Sequence, residues 1–130
     1  MLAGIASRES RAGLALKASG FAKYDPAGFG VMQIDVTKNP SLASRKSTPA
    51  DASSQEHFDK AAGLLAGNVK AVRDKHPGWS DVDVLRGAVA AYNADIGDVR
   101  SLDRLDVGTT GNDYSGDVLA RSQYFSERGV

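Results

Sequence analysis

Apolar positions recur along this chain with a helical period in some stretches and an alternating one in another, and the changes mark the elements. Leu2, Ile5 and Glu9 fall at i, i+3 and i+7, so residues 1–10 read as the last turns of a helix. From Gly13 to Gly30 the chain is rich in Gly, Ala and Ser, and DPAGFG at 25–30 is turn chemistry. VMQIDV, 31–36, alternates and is β-branched, which predicts a short strand or extended segment. A polar loop bounded by two prolines comes next. Phe58, Ala62, Leu65, Val69 and Val72 then step by 4, 3, 4 and 3, the signature of a long helix with one buried face. Asp51, Ser53 or Ser54 can cap its start, and His76-Pro77-Gly78 ends it.

Ser80, with Asp83 three residues on, has the form of a capping box that opens a helix over DVDVLRGAVAAYN. A short helix is predicted from Ile96 to Leu102. A last one, capped by Asn112 or Asp113, is predicted from Tyr114 to Arg128 and ended by Gly129. The pattern predicts a mainly α fold with one small extended or hairpin region after the first helix, and no linker long enough to separate domains. At 130 residues a single domain, 1–130, is the expectation.

Composition narrows the function classes. The 16 acidic and 16 basic residues cancel, so no strong field draws the chain to nucleic acid or to an anionic membrane surface. The longest apolar runs, such as GAVAA, are far too short to span a bilayer, and MLAGIA does not read as a signal peptide. There is no cysteine, which removes disulfide and thiol chemistry. The two histidines, His57 and His76, stand apart at helix edges and read as surface or cap residues. Neither a metal site nor a Ser/His/Asp arrangement is indicated, and no glycine-rich nucleotide fingerprint is present. No cofactor is expected.

Carboxylates near glycine-rich turns remain. Glu9 closes an apolar helix, and Asp25 and Asp35 flank GFGVMQ. Glycosidic hydrolysis needs two carboxyl groups, one kept protonated in a dry pocket and one ionised to activate water. Leu2 and Ile5 can supply a dry wall for Glu9. The competing reading of each acid, in a domain with 16 of them, is a surface charge.

RESRAG at 8–13, GFGVMQID at 28–35, AAYNADIGDVRS at 90–101 and GTTGNDYSGDVLARSQYF at 108–125 together resemble goose-type lysozyme. The first three blocks are shared in part with lytic transglycosylases, and the fourth is the specific one. The resemblance implies a lysozyme-like helical domain. It also implies Glu9 as catalytic acid and Asp35 as the carboxylate that activates water, with Asp25, one position out of register, assisting. It places Gln33, Tyr92, Asn93 and Tyr114 along a sugar-binding cleft, where packing or turn hydrogen bonds are the alternative uses.

The implied activity is that of an inverting muramidase, which cleaves the β-1,4 bond between N-acetylmuramic acid and N-acetylglucosamine. The implied partner is the bacterial peptidoglycan glycan strand, met outside the cell or at the wall by a monomer. A lytic transglycosylase and a non-catalytic wall-binding domain are the other readings. Two departures stand out: Arg11 occupies a position that is commonly His, and AAGLLAGNVKAV carries unusually small residues. The family also has a helical region upstream of its catalytic Glu, so MLAGIASRES reads as the tail of a longer helix cut short.

Overall fold

The structure is a computed structural model that describes residues 1–44 and 46–130. Its elements are α1 (Leu2–Ser10), β1 (Gly28–Phe29), β2 (Ile34–Asp35), α2 (Gln55–Lys75), α3 (Asp81–Asn93) and α4 (Tyr114–Ser126), with short 3-10 turns between them. The fold is mainly α with one small antiparallel sheet, as the pattern predicts. The chain divides into two compact units, residues 1–62 with 121–130, and residues 63–120.

In the first unit, α1 buries Gly4, Ile5, Ala6 and Ser10. It stops because Arg11, Ala12 and Gly13 turn left-handed in succession, with φ of 52°, 54° and 97°. The amides of Arg11 and Ala12 then close onto the carbonyls of Ser7 and Ala6, satisfying the helix end. Arg121 of α4 braces the helix from its side, donating to Ser7 Oγ at 2.9 Å.

The small sheet pairs Gly28 with Asp35 and Phe29 with Ile34. The predicted strand over 31–36 is shorter than expected: only Ile34–Asp35 is strand, and 30–33 is the connecting turn. Gly30 and Gln33 have φ of 73° and 50°, and the Gln33 amide donates to Gly30 O at 3.1 Å. Val31 and Met32 are apolar because the turn itself is buried, at 6% and 0% exposure. A buried turn and a buried strand carry the same composition, which is why the pattern favours the strand.

Thr48 and Asp51 form a capping box on the 3-10 turn Pro49–Ser53. Ser54 is the residue that caps α2, its Oγ accepting from His57 N at 3.1 Å.

In the second unit, Ser80 Oγ accepts from the Asp83 amide and α3 begins where the box predicts. Gly87 on α3 is a point of close approach: a Cβ there would stand 3.0 Å from Val72 Cγ1, 3.1 Å from Trp79 and 3.2 Å from Val99. The single helix predicted from Ile96 to Leu102 is instead two 3-10 turns, Ile96–Asp98 and Leu102–Arg104, separated by the buried Val99. Of the two predicted caps of α4, Asn112 and Asp113, the Asn112 side chain accepts from Gly108 N at 2.9 Å. The Tyr114 amide goes to Thr109 Oγ1 at 3.4 Å, and the next two amides of α4 go to Asp106, which accepts from Ser115 N at 2.6 Å and Gly116 N at 3.1 Å. Helix α4 ends at Ser126, two residues before the predicted end. Arg128 N already bonds back only three residues, to Phe125, and Gly129 turns at φ 72°.

Candidate active site

Four of the seven residues singled out by sequence lie in the first unit. Glu9 sits in the last turn of α1 and is half-buried. Its neighbour Ser10 is fully buried, and the Ser10 hydroxyl donates to Val31 O at 2.9 Å while accepting from Gly13 N at 2.9 Å. The R-E-S segment is therefore fastened to the turn that leads into Asp35. Gly13 suits that closeness, because a Cβ on it would lie 3.3 Å from Val31 Cγ1 on a backbone already at φ 97°.

Asp35 is set by the sheet and by the two residues that come after Val36. Its Oδ1 accepts from Thr37 Oγ1 at 2.6 Å, Thr37 N at 2.8 Å and Lys38 N at 3.2 Å. The Thr37 hydroxyl is the largest cause that holds this carboxyl below the usual carboxylate value. Partial desolvation opposes it, and the two backbone amides and the Lys38 charge assist. Asp35 is thus a carboxylate at neutral pH.

Gln33 and Asp25 meet over Gly28, the sheet partner of Asp35. A Cβ on Gly28 would lie 2.3 Å from Gln33 Oε1 and 3.4 Å from Asp25 Oδ2. Gln33 is held by Nε2 donating to Gly30 O at 2.8 Å. Asp25 is exposed, and its Oδ1 accepts from Ala27 N at 2.8 Å, an Asx turn that leads into β1. The hairpin therefore gathers Asp25, Gln33 and Asp35 about one glycine.

The other three lie in the second unit. Tyr92 and Asn93 end α3. Asn93 joins the turn before α4 twice, Oδ1 accepting from Thr110 N at 2.9 Å and Nδ2 donating to Thr110 Oγ1 at 3.1 Å. Tyr114 opens α4 and is only 1% exposed.

Sequence reasoning misread one residue, His57, and passed over another, Asp106. His57 is no surface or cap histidine. It is 4% exposed, its Nε2 accepts from Met32 N at 3.2 Å, and Phe29 meets its ring edge-on at 5.8 Å. Burial first, and the Lys60 charge second, push its pKa below the ordinary 6.5. Asp106 is the second, binding the Ser115 hydroxyl at 2.9 Å besides the two α4 amides.

The lysozyme g family model matches residues 1–129. This chain belongs to the lysozyme g family. It is 41% identical over 130 residues to lysozyme G of Dromaius novaehollandiae, covering 99% of this chain and 59% of that protein. It is 40% identical to lysozyme g of Casuarius casuarius (99% and 65%) and 39% identical to that of Gallus gallus (99% and 57%). The chain thus spans about three fifths of the length of these curated relatives. Among the described residues, no helix is long and apolar enough to cross a membrane.

Proposed function

We propose that this lysozyme g family chain is a peptidoglycan muramidase that hydrolyses the β-1,4 bond between N-acetylmuramic acid and N-acetylglucosamine, acting on walls outside the cell. One observation carries the reading beyond family membership. The segment bearing Glu9 is fastened through Ser10 to the hairpin turn that leads to an ionised Asp35. A glycosidase needs an acid and a base in fixed relation, and a shared scaffold supplies that.

Glu9 is the general acid that protonates the leaving oxygen. It stands at the carbonyl end of α1, where a negative charge is unfavourable. Asp35 is the general base, its Oδ1 held by three donors, and Asp25 assists from the other side of Gly28. Water attacks from the face opposite the leaving group and the anomeric centre inverts, a route that in general needs two carboxyl groups roughly 6.5–9.5 Å apart. The family resemblance makes Gln33, Tyr92, Asn93 and Tyr114 the candidate sugar contacts, although Tyr114 is only 1% exposed.

The test is lysis of a cell-wall suspension by Glu9→Gln. Expected is loss of nearly all activity with an unchanged melting temperature. Activity near the parent level overturns the assignment of Glu9. Product masses lighter by one water, the mark of a 1,6-anhydro end, would make the chain a lytic transglycosylase. Wall binding without reducing ends, by the parent as by the variant, would make it a binding domain.

A further inference from the structure

His57 has no role in the chemistry above, yet it is the buried centre of the hairpin that carries Gln33 and Asp35. Its Nε2 accepts the Met32 amide proton, so in this state the ring is neutral and its proton is on Nδ1. Gly30 lies against the same ring: a Cβ there would stand 2.4 Å from both Cε1 and Nε2. The Gly30 carbonyl in turn holds the Gln33 amide group and the Gln33 side chain. One imidazole therefore fixes Met32 directly and Gly30 by contact, and these two residues set where Gln33 points and how the chain enters Asp35.

A proton can reach the ring. Nδ1 has no partner among the described residues, and His57 borders a cavity of about 220 Å³ that Ser54, Glu56 and Lys60 also line. Among the described residues, the groups that face the ring are few. From α2 they are Lys60 and Glu56, which pair with one another at 2.8 Å. From the 3-10 turn, Asp51 lines the same cavity with its carboxylate engaged by Thr48. The hairpin from Gly28 to Ile34 contributes no titratable side chain.

We propose that His57 is a positioning residue for the muramidase site: its neutral form holds the Gly30–Gln33 turn through Met32, and protonation at Nε2 releases it. The proposal rests on the muramidase reading for its consequence in activity, but not for the hold itself. A protonated Nε2 is a donor facing a donor, so the Met32 bond is lost and Gln33 and Asp35 lose their support. Lysis then falls on the acid side at a pH set by His57, below its ordinary 6.5.

Two variants and one spectrum test this. His57→Leu fills the space without an acceptor, whereas His57→Gln can place Oε1 where Nε2 stands and accept from Met32 at every pH. Expected is that His57→Leu loses about tenfold or more in lysis at pH 7, the scale of a misplaced catalytic group. His57→Gln should recover most of that loss and should lack the parent's acid limb near the histidine range. A His57→Gln profile that superimposes on the parent's overturns the proposal. Nuclear magnetic resonance of the parent decides the hold without any activity: the Met32 amide signal should move with the His57 ring as pH falls. A Met32 amide indifferent to that titration overturns the proposal even if both variants fail to fold. If the parent lyses no walls, the muramidase reading fails while the spectrum still decides the hold.

Discussion

The hydroxyl of Ser10 donates to the carbonyl of Val31 across 2.9 Å, so the turn after Glu9 and the turn before Asp35 are held together. The bond spans 21 residues of sequence and is buried. A one-carbon side chain that both donates and accepts is what the place requires, since Gly13 N approaches the same oxygen.

Ser10→Ala removes the side-chain bonds to Ala6 O, Val31 O and Gly13 N; the buried Val31 carbonyl loses this donor, whereas Gly13 N keeps Ser10 O at 3.1 Å. A loss of roughly 1–3 kcal/mol of stability is expected, read by denaturant unfolding. Lysis per folded molecule should fall by about tenfold or more, because the relation of Glu9 to the hairpin loosens. A variant that loses stability alone, with full activity per folded molecule, would show that Ser10 serves the fold and not the site.

The helices of this chain are legible because burial on one face repeats in sequence. Val72 and Leu65 lie on the stripe that predicts α2, and both are buried. Ser80 and Asp83 announce α3 because a cap and its partner are three residues apart. The features that escape are non-local or non-periodic. Asp106 caps α4 from nine residues before Ser115, a distance no capping motif covers. His57 gives no signal, since a lone histidine after Gln55 and Glu56 looks solvated until Phe29 and Met32 are seen to enclose it. Of the candidate site, Gln33 and Asp35 are named by their motif, and Asp25 stands one position out of register with it. That Gly28 is the point about which they gather needs the register of the sheet.

Two glycines of that hairpin should respond differently to alanine. At Gly30 the new methyl would meet the His57 ring and the Ala52 carbonyl at 2.4 and 2.8 Å, on a backbone at φ 73°. Neither neighbour is free to move, so a loss of about 2 kcal/mol or more is expected. At Gly28 the backbone is unstrained, and the first atom met is the far end of Gln33. That side chain swings aside at little cost in stability but leaves its bond to Gly30 O. Gly28→Ala should therefore keep its melting temperature within a few degrees and lose lysis. Melting curves and lysis rates on the two variants check this. Equal losses of stability would mean that Gln33 is as firmly held as His57.

Stability should fall on the acid side in two stages. The folded state holds His57 below 6.5, so between that lowered value and 6.5 the unfolded chain takes up a proton that the folded chain refuses. Stability therefore drops as pH falls through that window and levels off once the folded ring is also protonated. Asp35 is held below 3.8, so its contribution is complete above 3.8 and is lost as pH falls through its own lowered value. Melting temperature against pH should show the first decline in the parent and not in His57→Gln. A parent curve flat from about pH 7 to pH 5 would contradict the burial of a neutral ring.

Asp35 and Asp25 should not be equivalent, though both border the hairpin. Asp35 is fixed by sheet pairing with Gly28 and by three donors on Oδ1, and it is ionised at neutral pH. Asp25 is exposed and spends Oδ1 on the Ala27 amide, with Oδ2 turned toward Gly28 and Gln33. Asn at position 25 keeps an acceptor for Ala27, so the turn survives, and only the charge near Gln33 is lost. Asn at position 35 removes the charge proposed to activate water. Asp35→Asn should thus cost on the order of a hundredfold in initial lysis rate, the scale of a lost general base, and Asp25→Asn clearly less. If both carboxylates act on one water, as proposed, the double variant should lose less than the two single losses multiplied. A more damaging Asp25→Asn would reverse the two roles. Two silent single variants beside an inactive Glu9→Gln would mean that neither carboxylate holds the water, and attack by the sugar's own 6-hydroxyl would then account for the cleavage.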